Sequence, residues 1–296
     1  MNEISQKQSE LTNIKKLAAQ RKLYNCVKKV QVYNFLLTVI FTIILNFINQ
    51  TDNCNNSNNL LYFPIVLISL LVQFIPFNYL SKKLKLLAAS IQQNFDHVLY
   101  DGFELYYNKP ITREDVERAI SKYDIIYRKN NTYDELTNWY SNINIELSPE
   151  IAFFKCQKQN SNWDNELRKK YNMFLVSMLV LLLCALLITS FVINDNFRNT
   201  FLYICLPFSP LILYLSKAII DNTKCLFLER ERNKSLSDIG ILLENENIDE
   251  ESIKKLIASL QKDIYEYRYT VLSIPDFFYK IFKKEQQDII NNIENV

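Results

Sequence analysis

Asn172-Met-Phe-Leu-Val-Ser-Met-Leu-Val-Leu-Leu-Leu-Cys-Ala-Leu-Leu-Ile-Thr-Ser-Phe-Val-Ile-Asn194 is the stretch that decides the fold. It has no charge and no polar face, whereas a helix packed on a soluble core shows an apolar stripe. About 20 such residues carry an α-helix across a hydrocarbon layer about 30 Å thick. Three further runs share this character: Val32–Ile48, Leu60–Leu80 and Asn199–Ile220. The only charge in all four is Lys217, placed where it can reach headgroups from a helix end. The chain therefore reads as an all-α membrane protein with four transmembrane helices in two hairpins. The alternative, four core helices of a soluble protein, fails on the all-round apolarity of Leu60–Leu80 and Asn172–Asn194.

Whole-chain composition conceals this pattern. Hydrophobic residues make up 49%, and 34 basic residues balance 32 acidic ones, because the apolar residues are concentrated in the four runs. A long polar segment precedes the first run, which is thus too internal for a cleaved signal. Basic residues set the orientation. Lys15, Lys16, Arg21, Lys22, Lys28 and Lys29 precede the first run, Lys82, Lys83 and Lys85 follow the second, and Arg168, Lys169 and Lys170 precede the third. The loop 49–59 holds no basic residue. The positive-inside rule places both termini and the insert in the cytoplasm. The expected organisation is an N-terminal amphipathic helix (1–31), a first hairpin (32–80), a cytoplasmic insert (81–171), a second hairpin (172–220) and a C-terminal helical region (221–296).

The cytoplasmic parts read as helical. Leu11, Ile14, Leu17 and Ala18 share one face ahead of the first run, and Leu84, Leu87, Ala88, Ile91 and Phe95 extend the second run as an amphipathic stalk. Thr112 with Asp115 forms a capping box opening a helix to about Arg128. Ser148-Pro149 is an N-cap followed by proline at the first helical position, starting a helix that leads into the third run. After the fourth run the chain stays helical through Glu229–Asn233; Asp249 caps another helix carrying Ile253, Leu256, Ile257, Leu260 and Ile264, and a last one starts near Pro275. Asn142–Leu147 alternates only weakly, and 96–110 and 130–147 give little local signal.

Enzyme chemistry has little to stand on. Two glycines, Gly102 and Gly240, exclude a phosphate-cradling glycine loop, and the single histidine, His97, has no second histidine for a metal site. The six cysteines form no CxxC pair, and Cys54 alone falls in an expected extracytoplasmic loop, where only an intermolecular bond could form. The paired acids Glu114/Asp115 and Glu250/Glu251 sit at helix starts, where the macrodipole accounts for them. Charges nearly balance in the insert and are acidic in excess in the tail, so duplex nucleic acid is not an expected partner. No metal and no cofactor is expected, and the chain is read as a non-enzyme.

Sensing, permeation and assembly remain. Asn34, Thr38, Thr42 and Asn46 recur every four residues and form a slanting polar stripe on the first span. It can line a pore, or it can hydrogen-bond to neighbouring helices. Pro207 and Pro210 suggest a kink or a packing irregularity in the fourth span. The segment from Trp139 to Tyr171 is the densest in unusual residue types. One reading is a ligand pocket in which Trp139, Tyr140 or Trp163 stacks on a base, Arg168 or Lys169 meets a phosphate, and Asn160 lies on the face of Arg168. The other is a polar helix docked on the stalk, with Trp163 at the membrane interface.

The strings Leu17-Ala-Ala-Gln-Arg-Lys-Leu-Tyr24, Asn138-Trp-Tyr140, Cys156-Gln157 with Asn160, Trp163-Asp164, Leu167-Arg-Lys-Lys-Tyr171 and Ile274-Pro275-Asp276 resemble the four-transmembrane SMODS-associated pore-forming effectors of bacterial antiphage (CBASS-type) systems. The resemblance covers nearly the whole chain. Lysine stands at 158, 169 and 170 where the resemblance leads one to expect arginine, which keeps charge but loses bidentate geometry. It implies a multi-pass inner-membrane effector that binds a cyclic di- or trinucleotide on its cytoplasmic part. It further implies that the effector permeabilises the bilayer as a homo-oligomer and causes abortive infection. A constitutive pore-forming toxin and a non-conducting signalling scaffold are the competing functions.

Overall fold

The computed structural model describes residues 2–52, 59–137, 139–140, 143–193, 205–243, 249–278 and 280–282, with side chains at 49–52, 59–63, 65, 69, 72–74, 161–164 and 193 left aside. Among these residues every regular element is a helix. A short α1 (Ile4–Gln8) leads into α2 (Leu11–Asp52), followed by α3 (Asn59–Leu99), α4 (Arg113–Arg128), a single 3-10 turn (Asp134–Leu136), α5 (Pro149–Ile193), α6 (Leu206–Leu243) and α7 (Glu250–Thr270).

The caps fall where local chemistry places them. The Thr112 hydroxyl accepts from the Asp115 amide at 3.2 Å while the Asp115 carboxylate accepts from the Thr112 amide at 3.0 Å, closing the capping box of α4. Pro149 is the first residue of α5, and the Ile151 amide donates to Ser148 Oγ. Asp249 accepts from the Ser252 amide at 2.8 Å at the start of α7. No strand forms over 143–147; that segment is held instead from outside, the Asn2 amide donating to the Ile145 carbonyl at 3.0 Å.

Each of α2, α3, α5 and α6 carries an apolar run, or the described part of one, and a polar segment in a single helix. The expected stalk on the second run therefore has counterparts on the other three. Two helical segments are apolar and long enough to cross a membrane, Leu11–Ile48 and Pro149–Val192. Only 17% and 11% of their apolar windows are buried, far from what a core helix would show. The second and fourth runs fall partly outside the described residues: 194–204 precede α6, so Pro207 lies in the first turn of the described helix, where proline is tolerated, and Pro210 lies inside it.

Packing is dense among the polar segments of these helices. α2 runs along α3 and α4, α5 along α6, and α7 lies against α3 and α6. The largest apolar cluster joins Leu17 and Ala18 of α2, Phe95 and Leu99 of α3 and Phe153 and Cys156 of α5, with the rings of Tyr100 and Phe153 stacked at 4.9 Å. Leu11, assigned to this buried face on spacing, is 57% exposed; the face begins at Ile14, because Leu11 opens α2 beyond the reach of the cluster.

Candidate functional site

The residues singled out between Trp139 and Tyr171 occupy three different environments. Trp139 packs half-buried against the main apolar cluster. Tyr140 is buried beside it; its backbone pairs with Gln8, whose side chain accepts from the Tyr140 amide at 2.8 Å and donates to its carbonyl at 3.2 Å. The Asn160 amide donates to the Tyr140 hydroxyl at 2.8 Å, so these two form one unit. Burial pushes the Tyr140 hydroxyl well above its ordinary value and pushes the nearby Cys156 thiol up, which makes neither a nucleophile at neutral pH. Trp163 lies on α5 with its side chain outside the described part. Lys169 is exposed and pairs with Glu166 at 2.6 Å.

Arg168 sits elsewhere, in a buried cross-link beneath the third and fourth runs. Its guanidinium donates to the Tyr267 hydroxyl at 2.9 Å, to the Leu272 carbonyl at 2.8 Å and to Asn222 Oδ1 at 3.3 Å. Asn222 in turn donates to the Arg168 carbonyl at 3.1 Å and to Asn172 Oδ1 at 3.2 Å. Glu229 and Arg232 complete the group, with the Arg232 guanidinium 4.0 Å from the centre of the Tyr267 ring. Arg168 thus ties α5 to α6 and to the chain leaving α7, immediately below the membrane-facing segments. Sequence reasoning missed Asn222, Glu229 and Arg232. Their signal was present as a polar residue, an acid and a base at i, i+7 and i+10, on one face of the helix that leaves the fourth run.

A second polar seam runs through the cytoplasmic core. Asp96 on α3 is fully buried, forms an ion pair with Arg268 of α7 and accepts from the Gln261 side chain at 2.8 Å, which also donates to Gln93 at 2.9 Å. Asp96 Oδ1, Gln261 Oε1, Gln20 Oε1 and both polar atoms of Gln157 are buried with no hydrogen-bond partner among the described residues. Tyrosines extend the seam: the Tyr265 hydroxyl bonds with Ser90 Oγ at 2.9 Å and accepts from the Asn108 amide at 2.9 Å, and Asn108 Nδ2 donates to Tyr269 at 2.7 Å.

The polar stripe of the first span is turned inward. Thr38 and Thr42 are buried, and each hydroxyl donates to the carbonyl four residues back, Asn34 at 2.8 Å and Thr38 at 2.9 Å; Asn46 Nδ2 donates to the Thr42 carbonyl at 2.7 Å. At the start of the first run and the ends of the second and fourth, a cavity of about 460 Å³ opens between α2, α3, α6 and the end of α7. Lys82, Lys85, Lys217 and Lys224 line it against one acid, Asp221.

Residues 2–295 match the family model described as the SMODS-associating 4TM effector domain. The chain belongs to this family. The match spans both pairs of apolar runs, the insert and the tail, in agreement with the resemblance carried by the Cys156-Gln157 and Leu167–Tyr171 motifs. No curated protein and no solved structure matches the chain. Membership makes the protein a membrane effector of SMODS-associated, CBASS-type signalling and gives the four apolar runs their setting as a 4TM domain. It is not a family of known enzymes.

Proposed function

We propose that this protein is a ligand-gated membrane effector of bacterial antiphage defence. A cyclic di- or trinucleotide made by a partner synthase binds the cytoplasmic half of a dormant homo-oligomer in the inner membrane, with both termini cytoplasmic. Binding permeabilises the bilayer and aborts the infection. The chain works without a catalytic step. Supporting this reading is the continuity of α2, α3, α5 and α6: any repacking of the cytoplasmic core reaches the membrane with no intervening linker.

The Asp96–Arg268 seam and the Arg168–Tyr267–Asn222 cross-link hold the resting arrangement. A ligand opens it only through greater affinity for the opened state. Trp139, Tyr140, Asn160 and Trp163, with Arg168 and Lys169 for phosphate, are the proposed contacts in that state. The resting state commits Tyr140, Asn160 and Arg168 to partners within the chain. The stripe Asn34, Thr38, Thr42 and Asn46 lines the opened pore. Because Thr38, Thr42 and Asn46 are already satisfied by their own helix, turning them from a buried face to water breaks no interhelical hydrogen bond of theirs.

The test is dye uptake in bacteria expressing the effector with and without an active cyclic-oligonucleotide synthase. Uptake only with both proteins is expected. Uptake without the synthase would make the protein a constitutive toxin, and intact membranes with a stoichiometric copurifying partner would make it a scaffold.

A further inference from the structure

The cavity at the membrane boundary has a chemistry of its own. Its basic residues come from two helices, Lys82 and Lys85 of α3 and Lys217 and Lys224 of α6, and face the start of the first span at Asn34 across the opening. The single acid, Asp221, is already paired with Lys217 at 2.8 Å. Lys85 is anchored rather than neutralised: its ammonium donates to the carbonyls of Val271 at 3.0 Å and Thr270 at 3.3 Å, where α7 ends. Lys82 and Lys224 are exposed and have no ion-pair partner among the described residues. Among the described residues the cavity therefore holds an excess of positive charge over its one acid.

Shape and depth point the same way. Its volume lies within the range of about 300–1,000 Å³ typical of small-molecule sites. Asn34 and Asn78 add side-chain amides, whose NH2 groups can donate to a phosphate. The lining spans Asn78–Lys85 at the end of the second run and Tyr214–Lys224 at the end of the fourth, where the apolar runs give way to charged segments. Burial pulls the Lys85 amine below its ordinary value, with Lys217 and Arg168 adding repulsion against the opposing effects of Cys225 and Asp221; a bound anion would reverse that cost.

We propose that this basic vestibule is a phosphate site, taking a phosphodiester carried by a cytoplasmic cyclic nucleotide or by an anionic phospholipid headgroup. An occupant bridges α2, α3 and α6 at the level where they enter the membrane, so it acts directly on the packing of the spans. The nucleotide source rests on the function proposed above; the lipid source does not.

The test compares full-length protein with Lys82→Gln/Lys224→Gln and Lys82→Arg/Lys224→Arg variants, both positions being exposed, in nanodiscs of two compositions. In phosphatidylcholine alone, binding of a panel of labelled cyclic di- and trinucleotides is measured. In phosphatidylcholine with phosphatidylglycerol, lipid retained by the protein is measured by native mass spectrometry. The glutamine variant is expected to lose at least about tenfold in affinity for one of these probes, and the arginine variant to keep it. Loss on the nucleotide probe alone assigns the site to the soluble ligand; loss of phosphatidylglycerol retention alone assigns it to lipid. If folded glutamine variant binds both probes as the parent does, the vestibule is not a phosphate site. In that case nucleotide binding by the parent leaves the proposed function standing. If the parent binds no nucleotide but retains phosphatidylglycerol in a lysine-dependent way, the function fails and the site stands.

Discussion

Residues Pro149–Arg168 and Met173–Val192 belong to one unbroken helix and obey opposite rules. In the first part Ala152, Phe153, Cys156 and Gln157 are buried, and Arg168 is held by Tyr267, Asn222 and Leu272. In the second, Leu181, Leu187 and Phe191 are 69%, 60% and 83% exposed among the described residues. The polar half thus puts polar groups inside, at a desolvation cost that hydrogen bonds meet at Arg168 and that Gln157 leaves unmet among the described residues. The membrane half puts its apolar groups outside, where only lipid or a second copy suits them. The helix does not break between the two; in the gating proposed above, the polar core is the clamp and the apolar half the moving part.

The contrast is tested most strongly in the clamp. Asp96→Ala leaves the Arg268 guanidinium buried without its acid and should cost about 3–5 kcal/mol, read by denaturant unfolding of the cytoplasmic half. Replacing both residues, Asp96→Leu with Arg268→Met, should recover most of that loss, since a buried pair contributes little net stability over apolar residues. Next comes the membrane half: Leu187→Lys, near the middle of the third run, should raise the cost of insertion by about 3 kcal/mol, read by alkaline extraction or glycosylation mapping. A charge reversal at exposed Lys155, as Lys155→Glu in the polar half of α5, should stay within about 0.5 kcal/mol.

Alkaline pH should also separate the halves. Burial, chiefly, raises the Tyr100 and Tyr133 hydroxyls from 10 to about 12, and the Asp124 hydrogen bond adds to the effect at Tyr133. A raised folded-state value stabilises the protonated phenol, so this contribution is full below pH 10 and is lost as pH climbs towards 12. The near-ultraviolet signal of the cytoplasmic core should fade in that window while helicity of the spans persists. Smaller still, Thr112→Ala removes the capping box of α4 and should cost about 1 kcal/mol. Thr38→Val should cost less than about 1 kcal/mol in the resting state, because its hydroxyl bonds only to its own helix; a change in conductance of the opened state would identify the stripe as pore lining.

The sequence revealed most where one physical rule dominates. Caps at Thr112, Ser148 and Asp249 are short-range chemistry, and all three recur in the structure. The all-round apolarity of Asn172–Asn194 needs no partner to be read. Three-dimensional placement was harder. Arg168 and Lys169 are adjacent and both basic, yet one is buried among α5, α6 and α7 and the other is exposed, which depends on helix phase against a neighbour almost a hundred residues away. The vestibule escaped for the same reason: Lys82 and Lys85 read as inside-facing charges after the second run, Lys217 as a charge at the end of the fourth, and Lys224 drew no reading, and only the packing of α3 on α6 brings them to one opening.

The most direct measurement is leakage from vesicles loaded with dye and ions and containing the purified protein, on addition of a panel of cyclic di- and trinucleotides. Release triggered by one member of the panel, and abolished by crosslinking α5 to α6 across the cytoplasmic half, is the expected result. Equal release with no nucleotide present, or silence with every nucleotide that demonstrably binds, would contradict a ligand-gated permeability.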